Sequence, residues 1–175
     1  MEETWKEAVW QQFGAAIDML ENAMRACPDE LWNSRSQKPE RSQQPEFWYL
    51  VYHTLFWLDF YLSEPGSSFD PPAPFTLDEM DPAGVLPERP YTKDELQNYL
   101  EHGREKCRRL IAALNNERGV EHVAVGSFEG SPMELLLYNL RHVQHHAAQL
   151  NLILRQQIDS APRWVRKTSR SLTSE

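Results

Sequence analysis

The run FWYLVYHTLFWLDFYL, Phe47 to Leu62, constrains this chain more than any other stretch. A bilayer span needs about 20 apolar residues. This run has 16, with a histidine and an aspartate among them. No membrane insertion is expected, and the run reads as a helix of the protein core.

Three further helices announce themselves by their start signals. TWKE (Thr4, Glu7), TKDE (Thr92, Glu95) and SPME (Ser131, Glu134) each put a hydroxyl at the N-cap and a glutamate three residues on. Each side chain can then satisfy the other residue's free N–H. In SPME the proline also takes the first helical position, where its missing N–H costs nothing, and Pro45 of QPEF plays the same part for the apolar run. The expected helices cover about 4–26, 45–63, 92–117 and 131–158. The first carries Trp5, Val9, Phe13, Ala16, Leu20 and Met24 at helical spacing, and the third carries Leu96, Tyr99, Leu100, Gly103, Cys107, Leu110 and Leu114 on one face. No alternating run of β-branched residues competes, so strands are minor.

The expected fold class is all-α, a four-helix bundle with a long proline-rich crossover between helices two and three. That connection, residues 64–91, holds seven of the twelve prolines and excludes a regular element. It is long enough to cross the length of a bundle, and it could also form a lid over a site. Residues 28–44 form a second polar connection around one apolar turn at Leu31–Trp32. Residues 1–160 make one domain, and 161–175, containing RWVRKTSR, a flexible basic tail. The formal net charge of −8 argues against a nucleic-acid partner. Cys27 and Cys107 lack metal or disulfide spacing and suit a reducing cytoplasm, and neither has a neighbour that would activate it.

The segment NLRHVQHHAAQLNLILRQ, Asn139 to Gln156, sets three of the six histidines in five positions. On a helix, His142 and His146 differ by about 40° in azimuth and share the inward face, whereas His145 falls roughly 60° towards the rim. Two buried neutral imidazoles one turn apart leave polar nitrogens in need of a partner, at about 1–3 kcal/mol each. A divalent cation resolves this, since neutral imidazole is its commonest protein ligand. His53 is an isolated histidine among apolar neighbours and completes a triad. His102 lies off the apolar face of helix three, and His122 lies in a loop; neither is assigned a role. Asp59, about 120° from His53, is expected to pair with a polar neighbour. Glu46 lies on the line of His53, and Gln149, one turn beyond His146, could orient an imidazole.

HTLFWLD (His53, Trp57, Asp59) and RHVQHHAAQL (His142, His146) resemble the DinB/YfiT-like family of metalloenzymes. The likeness implies a four-helix bundle of unusual helix order, a metal-binding triad at one end carried by His53, His142 and His146, and frequently a dimer. Many members read HHRGQ where this chain has HHAAQ, so Ala147 and Ala148 replace an arginine and a glycine. Some members resemble transferases that use low-molecular-weight thiols.

Three neutral histidines leave a cation its full charge and an open position, the pattern of catalytic sites. The donor set suits Zn²⁺ and Ni²⁺, with Fe²⁺ or Mn²⁺ as alternatives. The expected function is a metal-dependent enzyme, hydrolase or thiol transferase, acting on a small molecule. The competing readings are a bundle that binds a metal or small ligand without turnover, and a bundle whose histidines are hydrogen-bonded core residues. The apolar flank Leu137, Tyr138 and Leu152 suits a homodimer contact.

Overall fold

A computed structural model describes residues 2–34, 46–115 and 117–173. These residues form α1 (Glu2–Ala26), α2 (Asp29–Trp32), α3 (Phe47–Tyr61), α4 (Lys93–Ala113) and α5 (Pro132–Ile158), with one short hairpin of β1 (Val123–Val125) and β2 (Phe128–Gly130). The fold is mostly helical, and among the described residues no helix is long and apolar enough to cross a membrane.

Two of the expected capping boxes are present. The Thr92 hydroxyl accepts from Glu95 N while the Glu95 side chain takes Thr92 N, and Ser131 and Glu134 repeat the exchange. α1 instead begins at Glu2, so Thr4 belongs to its first turn. The start of α3 at Pro45 lies outside the described residues, and Glu46 stands at its N-cap. α4 ends four residues before the expected 117. Leu114 leaves the helix in an extended conformation (φ −68°, ψ 137°) and buries its side chain.

α4 and α5 pack against α3, and both also pack against α1. Val51, Tyr52, Leu55, Phe56 and Leu58 of α3 meet Trp10, Phe13, Ile17 and Leu20 of α1 and Leu96, Tyr99 and Leu100 of α4 in one core. Each such fully buried side chain contributes about 1.5–3 kcal/mol relative to exposure. Gly103 lets α4 approach α3 closely, since a Cβ there would come within 3.0 Å of Leu58 Cδ2. Between α5 and α3 the fix is polar: buried Asn139 donates from Nδ2 to Leu58 O at 3.0 Å.

The 64–91 connection contains only a 3₁₀ turn, Asp78–Met80, yet it is tied to the core through buried Phe75. That ring stacks on Tyr99 at 4.3 Å and on Tyr52 at 5.9 Å. The hairpin had no counterpart in the sequence reading beyond a loop. Its Val125 packs with Phe60 and Leu135, and Gly126 turns it with φ +59°.

Residues 161–175 were expected to be a flexible tail, and the structure lays the described part of it, 161–173, along α1 and α4. Thr168 N donates to Gln11 O at 3.0 Å, Trp10 Nε1 to Arg170 O at 2.8 Å, and Arg108 Nη1 to Leu172 O at 2.7 Å. Arg170 also pairs with Glu101 at 3.2 Å. Gly14 makes room, because a Cβ there would lie 2.5 Å from Thr168 Cγ2. Of the tail's basic residues, Arg170 faces acids on the two helices beneath, Glu101 of α4 and Glu21 of α1.

Candidate metal centre

Along α3 from Phe47 to Leu62 every residue is buried except Tyr49, His53, Trp57 and Tyr61. Their spacing of four puts them in one line, the only part of this helix that approaches the surface. Opposite it runs the inward face of α5, with His142 and His146 one turn apart. The Asn139–Leu58 bond, one turn before His142, holds the two helices in this register.

His53, His142 and His146 offer ligand nitrogens that all lie within 4.8 Å of one another. Ring centroids are 4.9 Å apart for His53–His146, 5.5 Å for His53–His142 and 4.6 Å for His142–His146. One ion with bonds of about 2.1 Å to imidazole can close such a span with small ring rotations. His53 sits in the middle of α3 and not near an end, so the site lies on the α3–α5 seam. Its side chain is 28% exposed, so the cluster reaches the surface on the side of His53.

The imidazoles are prepared as neutral donors. Burial, reinforced by the neighbouring His146 and His53, pushes the His142 pKa down from 6.5 to about 3. Burial likewise takes His146 down to about 4, against the hydrogen bond it gives to Gln149, which opposes the shift. That bond joins His146 Nδ1 to Gln149 Oε1 at 2.7 Å, the orienting contact the sequence allowed for. A proton on Nδ1 leaves the Nε2 lone pair free. His142 Nδ1 is buried without a hydrogen-bond partner. A cation taken there would satisfy it, so the donor set fits a divalent ion on this count as well as by its chemistry.

The sequence reading missed Glu79. This residue of the 3₁₀ turn places its carboxylate beside the α3 line, with a side chain only 6% exposed. His53 Nδ1 meets Oε1, Trp57 Nε1 donates to the same oxygen at 3.2 Å, and the Tyr49 hydroxyl donates to Oε2 at 2.9 Å. Burial pushes the Glu79 carboxyl up, but the bonds from His53, Tyr49 and Trp57 outweigh it and hold the group below its ordinary value. Burial, aided by that carboxylate, raises the Tyr49 phenol and keeps it a donor. A signal was present: Tyr49, His53 and Trp57 are three polar donors aligned on an apolar helix and require an acceptor. Sequence could not say which acid of the crossover would supply it.

Other residues fall elsewhere. His145 is exposed, its ring 5.1 Å from His146. Asp59 turns towards α4, where Lys106 Nζ reaches Oδ1 at 2.5 Å and the Tyr99 hydroxyl reaches Oδ2 at 3.2 Å, with His102 Nε2 at 3.4 Å. Glu46 accepts from Trp48 Nε1 at 2.6 Å. His122 is exposed just before β1. Cys27 and Cys107 are buried, and burial drives the Cys27 thiol up to about 12 and raises Cys107 as well, so neither supplies a thiolate.

No match to a curated protein accompanies these features. The pattern of the DinB superfamily matches residues 12–150. That span runs from α1 through most of α5 and carries all three clustered histidines, and the chain belongs to the DinB superfamily.

Proposed function

We propose that this protein is a metal-dependent enzyme of hydrolase or low-molecular-weight-thiol transferase type. Its four long helices form a four-helix bundle, and His53, His142 and His146 hold one divalent cation, Zn²⁺ or Ni²⁺. The observation that carries the reading is the convergence of three imidazoles, from two helices, with ligand atoms within 4.8 Å. A fourth protein ligand is not among the described residues that share this cluster. Structural zinc sites close with four, so a three-histidine set keeps a position for a guest.

When bound, such a cation supplies Lewis acidity to a carbonyl or to a thiol. The chain's own residues do the remainder. Gln149 and Glu79 orient His146 and His53, while Tyr49 and Trp57 flank His53 and Tyr61 flanks His142, giving the site an aromatic wall. With both cysteines buried and protonated, a reacting thiol must come from the substrate. Leu137, Tyr138 and Leu152, exposed by 47%, 41% and 52%, are offered as a contact between two copies.

The test is a screen of Zn²⁺- and Ni²⁺-loaded protein with glutathione, bacillithiol or mycothiol plus a chromogenic aryl halide, and with nitrophenyl esters. Loss of a Lewis acid worth several kcal/mol should make His53→Ala slower by on the order of 100-fold. Equal rates for both proteins on every pair would leave a binding protein without turnover.

A further inference from the structure

Three donors on consecutive turns of α3 converge on one carboxylate that comes from a different part of the chain. Both Glu79 oxygens are occupied, Oε1 by His53 and Trp57 and Oε2 by Tyr49. Glu79 is therefore spent on orienting neighbours, and it does not join the cluster of ligand atoms that His53, His142 and His146 form.

We infer that Glu79 is a positioning residue for the metal centre, fixing His53 as its Nδ1–H tautomer with Nε2 presented to His142 and His146, and that the 64–91 connection is thereby part of the site. A neutral imidazole has one donor and one acceptor, and the hydrogen bond at one nitrogen decides which atom keeps the lone pair. An ionised carboxylate can only accept, so facing Nδ1 it requires the proton there. Trp57 and Tyr49 are donors and hold the carboxylate without competing for that choice. Among the three histidines, His53 stands on its own helix, remote in sequence from the other two, and it has the most to gain from a fixed ring. The connection otherwise has no regular element beyond its 3₁₀ turn, so the Glu79 bonds and the stacked Phe75 ring hold it to α3.

This inference rests on the metal reading above, and the experiment separates the two. Glu79→Ala, Glu79→Gln and Tyr49→Phe are compared with wild type. One readout is the imidazole ¹⁵N spectrum of metal-free protein, which reports the His53 tautomer; the other is Zn²⁺ affinity by chelator competition. Glu79→Ala should release the Nδ1 proton preference and weaken Zn²⁺ binding by about 10–100-fold. Glu79→Gln can still accept from Nδ1 through its amide oxygen, so it should keep the tautomer and recover part of the affinity. Tyr49→Phe, which removes a donor without touching His53, should bind within about threefold of wild type. If Glu79→Ala lowers the melting temperature yet leaves tautomer and affinity unchanged, Glu79 only anchors the connection and the inference is overturned. If Glu79→Ala does not fold, a wild-type spectrum that shows His53 as the Nε2–H tautomer overturns it as well. Wild type that takes up no Zn²⁺ sinks the metal reading and this role with it.

Discussion

Exchange of His142 for phenylalanine is expected to stabilise the metal-free protein, and to do so more at pH 5 than at pH 7. His142 Nδ1 is buried without a partner, a condition that costs about 1–3 kcal/mol. An apolar ring of similar shape removes that cost among the aromatic neighbours His53, Tyr61 and His146. The pH effect adds to it. The folded-state pKa of His142 is depressed from 6.5 to about 3, so between these values the unfolded chain binds a proton that the folded one does not. Stability therefore falls as pH drops below 6.5 and goes on falling towards 3. His146, lowered to about 4, has the same sign. Together they should remove on the order of 3 kcal/mol between pH 7 and pH 5, with about half of it absent in the variant. Urea unfolding of both proteins at the two pH values measures this. Parallel pH profiles for wild type and His142→Phe would mean that the ring is solvated and not held neutral by burial.

Arg104→Ala should be the most damaging change on the side of the molecule away from the histidines. Its guanidinium is 4% exposed and forks between Asp18 and Glu21 of α1, at 2.5 Å each. Glu21, itself 6% exposed, also accepts from Gln97 at 3.2 Å. Removing one partner of a buried pair costs about 3–5 kcal/mol where the other charge is left alone; Arg25 and Arg170 still face Glu21, so the loss should lie towards the lower end of that range. Lysine restores the charge but cannot engage both carboxylates at once, so Arg104→Lys should fall between alanine and wild type. Thermal denaturation of the three proteins checks the order. A loss below about 1 kcal/mol for alanine would place this network with exposed ion pairs of little worth.

The parts that were legible in the sequence are those governed by local rules. Ser131 and Glu134, like Thr92 and Glu95, announce a helix start through chemistry confined to one turn, and that chemistry survives folding. The facing of His142 and His146 follows from helical periodicity alone. The convergence of His53 was inferred from the oddness of a histidine in Phe47–Leu62, and the rings do meet. Glu79 was not legible, because a residue in an irregular segment is placed by the path of the chain and not by any period. The hairpin escaped because three-residue strands carry almost no alternation. The docking of residues 161–173 escaped for a related reason: charge composition shows that Arg170 wants an acid, but only the packed structure shows that Glu101 is beneath it.

Metal content of tag-free protein tests most directly whether the three rings share an ion. After equilibration with Zn²⁺ or Ni²⁺ and removal of free metal, wild type should retain about one ion per chain, and His142→Phe should retain almost none. Retention below about 0.2 ion per chain by wild type, or equal retention by the variant, would contradict a shared ion.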